Sequence, residues 1–138
     1  MENASNPATS GIIPAQPSKN LGLNAEYDFP KFDNDMYFAI RADAWWEEGY
    51  TAGGLTQGVV ATSSPALVQA LIRPDTWNLD LRGTLADIPL GPFKGKIALW
   101  VKNLTNEQNL NFSYDLGTNV SGTYDLPRTW GADLQVEF

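Results

Sequence analysis

Five segments of the chain alternate apolar and polar residues with a period of two, which sends successive side chains to opposite faces of an extended strand. In the first, Leu21, Leu23, Ala25, Tyr27 and Phe29 share one face, and Asn20, Gly22, Asn24, Glu26 and Asp28 share the other. The second, Asp35 to Glu47, sets Met36, Phe38, Ile40, Ala42, Ala44 and Trp46 against Tyr37, Ala39, Arg41, Asp43 and Trp45. The third, Trp77 to Ala86, sets Trp77, Leu79, Leu81, Gly83 and Leu85 against Asn78, Asp80, Arg82 and Thr84. The fourth places Ile97, Leu99 and Val101 opposite Lys96, Ala98, Trp100 and Lys102. The last runs from Thr129 to Phe138, with Trp130, Ala132, Leu134, Val136 and Phe138 opposite Gly131, Asp133, Gln135 and Glu137.

Summed over the five segments, with the end residues Asp35, Glu47, Ala86 and Thr129 on the polar side, the apolar faces hold 24 residues and no charge, while the opposite faces hold 26 residues and 12 charges. A slip of one residue would exchange the two sets, so register is strongly specified. The connections alternate in length: Pro30 to Asn34 is tight, Glu48 to Asp75 long, Asp87 to Gly95 fairly short and Asn103 to Arg128 long. Tight turns at one end and long loops at the other, on strands of about ten residues, form the pattern of an outer-membrane barrel.

A soluble sheet with one buried face would alternate in the same way, and such a β-meander, serving as a binding or adhesion module, is the alternative. The aromatic positions favour lipid. On the apolar face Trp46, Trp77 and Trp130 stand at the long-loop ends, Tyr27, Phe29, Phe38 and Phe138 at the tight-turn ends, and mainly aliphatic residues between. Amphipathic rings prefer the boundary between water and hydrocarbon, so this reads as two girdles around a lipid-facing band. The charged positions Glu26, Arg41, Asp43, Asp80, Arg82 and Asp133 then face the lumen, together with Asp28, Lys102 and Glu137. Most are expected to pair across strands.

Composition narrows the chemistry. The chain of 138 residues has no Cys and no His, so thiolate or imidazole metal sites, Cys or Ser/His catalytic pairs and disulfides are excluded by inventory. No spacing of carboxylates suggests a hydrolase, and an enzyme, a cofactor or a bound metal is not expected. A net charge of -7 opposes association with phosphate backbones, so nucleic acid is not an expected partner. No apolar run is long enough for a transmembrane helix, and residues 1–17 lack both the basic start and the apolar core of a signal peptide. That stretch reads as the remnant of a preceding loop, and residues 18–138 as one structural body.

Smaller features resolve into local structure. Asp33-Asn34-Asp35 lacks the Gly and the distal Glu of a calcium loop and reads as an Asx-rich turn. Glu47 and Glu48 are adjacent in a strand, point apart, and read as solvated rim acids. Ser64-Pro65 before an apolar stretch to Arg73 suggests a short helix, a tuck into the barrel mouth or a strand extension. Asn-X-Ser/Thr triplets at Asn3, Asn103, Asn111 and Asn119 reflect loop composition.

Five strands cannot close a barrel, and each unpaired backbone group at an open edge in hydrocarbon costs several kcal/mol. The missing strands are expected on an absent N-terminal part, with Met1 internal to a longer reading frame.

Two segments, Leu99-Trp100-Val101-Lys102-Asn103-Leu104-Thr105-Asn106-Glu107 and Pro127-Arg128-Thr129-Trp130-Gly131-Ala132-Asp133-Leu134-Gln135-Val136-Glu137-Phe138, together resemble the C-terminal end of TonB-dependent outer-membrane receptors. Pro17-Ser18-Lys19-Asn20-Leu21 leading to Tyr27-Asp28-Phe29-Pro30, and Trp77-Asn78-Leu79-Asp80-Leu81-Arg82, are similar to earlier strands of the same family. The resemblance implies the last five strands of a 22-stranded barrel of a Gram-negative bacterium, with the C-terminus periplasmic and a plug domain filling the lumen. It implies active transport of a scarce nutrient, of siderophore, cobalamin or carbohydrate type, driven by the TonB complex through the absent N-terminal part. This fragment alone would not transport. It also implies that Phe138, with Val136 and Leu134, forms the signal read by the barrel-assembly machinery.

Overall fold

The structure is a computed structural model that describes residues 16–52, 65, 69, 71–115 and 120–138. Its strands are β1 (Asn20–Asp28), β2 (Tyr37–Glu47), β3 (Tyr50–Thr51), β4 (Ile72–Arg73), β5 (Thr76–Leu90), β6 (Phe93–Lys102), β7 (Leu110–Asp115), β8 (Val120–Tyr124) and β9 (Thr129–Glu137). Of the stretch where a helix is expected after Ser64, the described residues Pro65 and Gln69 are helical, the last two positions, Ile72 and Arg73, are strand β4, and most of the rest lies outside the described residues. The stretch 1–17 is likewise outside them except for Gln16 and Pro17.

The chain divides into two compact units. The first, Leu21–Trp46, Trp77–Glu107 and Leu126–Phe138, holds a five-stranded antiparallel sheet in the order β1-β2-β5-β6-β9. These are the five alternating segments, each beside its predecessor. Backbone bonds from Phe29 N to Phe38 O (2.8 Å) and from Glu48 N to Lys19 O (2.9 Å) align β1 with β2. Continuous pairing from Lys94↔Glu137 to Lys102↔Thr129 joins β6 to β9. The rows Leu81↔Val101 and Val101↔Trp130 lie on the apolar face, and Arg82↔Trp100 and Trp100↔Gly131 on the polar one.

The expected turn from Asp87 to Gly95 is corrected. Strand β5 continues to Leu90 and β6 begins at Phe93, so only Gly91 and Pro92 make the turn, with Gly91 at φ +69°. The register shifts between Leu85 and Ile88, and Asp87 has φ +55°. This bulge inserts one residue and moves the apolar face from odd to even positions. Ile88 pairs with Gly95 and Leu90 with Phe93, continuing the face that carries Leu85 and Ile97. An alternation that changes phase looks, in sequence, like an alternation that has ended.

The sheet has no hydrophobic core of its own. Within its strands the buried positions are small, among them Ala39, Thr84, Ala86 and Ala98 on the polar face and Gly95 on the apolar one. Among the described residues no large side chain is fully buried. On the apolar face Leu99 is 64%, Leu134 77% and Trp130 82% exposed. Each such side chain contributes about 1.5–3 kcal/mol when removed from water, and here that contribution is withheld.

Asn103 ties the long-loop ends of β5, β6 and β9. It has φ +52° and is buried. Its Nδ2 donates to the carbonyls of Glu107 and Leu126, both at 2.8 Å, and its Oδ1 accepts from Glu107 N at 3.0 Å and Thr105 Oγ1 at 3.2 Å. Its own N–H donates to Asp80 Oδ1 at 2.8 Å. Thr105 Oγ1 also donates to Trp77 O, and Asn106 Oδ1 accepts from Arg128 N. Asn tolerates the left-handed conformation and supplies donors and an acceptor, which is why this residue stands at the turn.

The second unit, Met1–Asn20, Glu47–Thr76 and Gln108–Asp125, gathers residues from the two long connections. Two small antiparallel pairs form there, β3 with β4 (Tyr50↔Arg73, Thr51↔Ile72) and β7 with β8. Ala52 N donates to Leu71 O at 2.8 Å, and Ser113 Oγ donates to Ala52 O. Gly49 lies so close to the β4 backbone that a Cβ there would stand 2.7 Å from Arg73 O, and its N–H donates to Asp75 Oδ1. Only glycine fits that approach.

Candidate functional site

The apolar face carries its rings at both ends. At the tight-turn end Tyr27 meets Phe29 edge to face at 4.9 Å, Phe29 lies 5.6 Å from Phe38, and Phe93 meets Phe138 edge to face at 6.4 Å. At the long-loop end Trp46 and Trp77 lie 6.4 Å apart, and Trp130 stands free. Phe93 was missed in sequence because the turn expected from Asp87 to Gly95 covered the start of the strand that carries it. Leu134, Val136 and Phe138 follow one another on the exposed side of β9, with Phe138 fully exposed.

The polar face brings the expected charged residues together, but seldom by pairing adjacent strands. The Arg41 guanidinium forks onto Asp43 of its own strand, Nε to Oδ2 at 2.8 Å and Nη2 to Oδ1 at 2.9 Å. Arg82 on β5 reaches past β6 to Asp133 on β9 at 2.7 Å. Trp100 lies between them and donates from Nε1 to Asp133 Oδ1 at 3.2 Å. The Lys102 ammonium is 5.9 Å from the Trp100 ring centre, at the outer range of a cation–π contact. Asp80 is held by the Asn103 N–H. Glu26 sits on exposed β1, near enough to the Arg41–Asp43 pair for its charge to act on Arg41.

Two concavities open on this face. One, of about 440 Å³, is lined by Arg41, Asp43, Asp80, Arg82, Trp100, Lys102 and Asp133 among others. The other, of about 480 Å³, is lined by Gly22, Asn24, Asp43, Trp45, Asn78 and Asp80 among others. They share Asp43 and Asp80. The indoles lie against glycines: a Cβ on Gly22 would stand 3.2 Å from the Trp45 ring, and one on Gly131 2.5 Å from that of Trp100. An aromatic laid over a glycine of the next strand covers exposed backbone and fixes the ring.

The second unit holds a cluster that the sequence did not reveal. Arg73 is only 6% exposed, with Glu47 Oε1 at 2.5 Å from Nη2 and Asp125 Oδ2 at 2.6 Å from Nη1. Its Nη1 also donates to Leu110 O at 3.5 Å, and the Tyr50 ring centre is 5.7 Å from Cζ. Glu47 is therefore largely buried in an ion pair, not a solvated rim acid. Glu48 does stay at the surface, 3.4 Å from Lys19. Burial alone would push the Arg73 guanidinium down, but the carboxylates of Asp125 and Glu47 outweigh it and hold the group above its usual value. Burial pushes the Tyr50 phenol up, opposed by the neighbouring Arg73 charge.

No family model, curated protein or solved structure matches the chain.

Proposed function

We propose that these strands are the C-terminal part of the transmembrane barrel of an outer-membrane, TonB-dependent transporter for a scarce nutrient. One observation carries this reading. The side of the sheet that bears no charge is also the side that stays open among the described residues, with Phe138, Trp130, Leu134 and Leu99 its most exposed side chains. In water that surface is a standing cost, whereas in lipid it is the surface the medium requires. The rings at its two ends sit where a bilayer would have its interfaces. Strands β1 and β9 each have one neighbour, and hydrocarbon demands a second, so the rest of the barrel must supply it.

On this reading the apolar face meets outer-membrane lipid and the polar face looks toward the lumen and a plug domain. The terminal residues engage the barrel-assembly machinery, and TonB acts through a part of the protein outside this chain. The test is Leu81→Arg at the middle of the apolar face, made in the complete barrel. Assembly should be weakened by about 2–4 kcal/mol, whereas an arginine in water-exposed sheet would cost little. Normal assembly of that variant, or a detergent-free, monodisperse monomer of this chain with cooperative unfolding, would overturn the proposal in favour of a soluble binding module.

A further inference from the structure

We infer that the polar face is a binding trough for an uncharged, polyhydroxylated ligand, a neutral oligosaccharide, with Trp45 as its main platform. The inference deepens the proposed function by naming the substrate class, and rests on it for the trough's place on a transport path.

Three features point to that class. The first is the pair of flat indoles. Trp45 and Trp100 are each pressed against a neighbouring glycine, which blocks one ring face and leaves the other toward the trough. Trp45 remains 46% exposed although it lies on the polar side of β2. A large exposed aromatic on a face otherwise chosen for polarity calls for a ligand, and the aliphatic C–H side of a sugar ring is a natural partner for an indole plane.

The second is hydrogen-bonding capacity beside that plane. Asn24, Asn78, Asp43 and Asp80 line the Trp45 concavity. Planar amides and carboxylates accept and donate in directions that suit vicinal hydroxyls.

The third is charge balance. The adjoining concavity sets Arg41, Arg82 and Lys102 against Asp43, Asp80 and Asp133, equal in number. Two of those cations are already held by carboxylates, and Lys102 lies near an indole. A site for an anionic metal chelate or a cation would leave an uncompensated countercharge at its centre. This trough offers dipoles and ring faces with no net charge, which selects a neutral polar guest.

The experiment uses the complete barrel that contains this chain, in detergent micelles, with its far-ultraviolet β signature as the check on folding. The probes are maltohexaose and cellohexaose, with a sulfated hexasaccharide as the anionic comparison, and the readout is tryptophan fluorescence together with calorimetry. At least one neutral probe should bind, Trp45→Ala should weaken it at least tenfold and Trp100→Ala less, and Trp77→Phe on the opposite face should leave it unchanged. Three results would each overturn the inference: no neutral probe binding to the folded barrel, binding that survives Trp45→Ala with Trp100→Ala, or tighter binding of the sulfated probe. Detergent dependence, read on the same samples, separates the two ideas. A protein that needs detergent but ignores both neutral sugars keeps the transporter reading and loses this one, and a water-soluble protein that binds them does the reverse.

Discussion

Gly131 lies directly beneath the Trp100 indole: a Cβ placed on it would stand 2.5 Å from ring atom Cζ2. The register pairs the two residues across β6 and β9, and the ring then reaches Asp133 through Nε1. The absence of a side chain at 131 lets the indole lie flat, and the flat indole joins Arg82 as a donor to the Asp133 carboxylate.

Gly131→Val should therefore lift the ring and break its bond to Asp133. Overpacking of this kind costs about 1–3 kcal/mol. Urea titration of the complete barrel in micelles, followed by near-ultraviolet circular dichroism, should show both the loss and an altered indole band. An unchanged band would mean that the ring is not held there.

Asn103→Ala should be among the most damaging single changes in the sheet unit. It removes partners from two carbonyls, a backbone N–H and a hydroxyl, and puts alanine at φ +52°. Each buried group left unsatisfied costs about 1–3 kcal/mol. Asn103→Gly relieves the backbone but not the hydrogen bonds, so it should fall between wild type and alanine. Equal effects of the two changes would place the whole cost in the backbone.

Arg73→Met leaves Glu47 and Asp125 facing each other without their cation, a loss of about 3–5 kcal/mol for a buried pair broken on one side. Adding Glu47→Leu and Asp125→Leu should recover much of it, because the cost lies in stranded charge. Hydrogen exchange of the amides of β3 and β4 is the measurement, and a triple variant no better protected than the single one would contradict this account.

Deleting Phe138 separates a structural ring from an assembly signal. Loss of its edge-to-face contact with Phe93 is worth only about 0.5–1.5 kcal/mol. If the residue serves the assembly machinery, the amount of complete barrel reaching the membrane should fall severalfold while the assembled fraction unfolds near the wild-type midpoint. A parallel decline in both would leave Phe138 a girdle residue alone.

The sheet was legible in sequence because one face of every strand excludes charge, so period-two alternation survives from Leu21 to Phe138. It failed where the backbone changed phase: the extra residue at Asp87 moved Ile88 and Leu90 out of step, and they read as a turn. The Arg73 cluster was not legible at all. Its members come from the end of β2, from β4 and from the residue after β8, and no periodicity links segments that only the folded loops assemble. Asn103 stood inside a motif noted for its resemblance, yet its reason, a left-handed backbone with four side-chain hydrogen bonds, needed coordinates.

The bareness of one face and the smallness of what is buried on the other set opposite rules for mutational drift. Around Leu99 and Leu134 no neighbour moulds the side chain, so one oily residue should replace another with little consequence, while a polar one is censored. On the polar face, Ala98 at 1% exposure and Ala86 at 4% leave no room for growth, and there selection should police volume before chemistry.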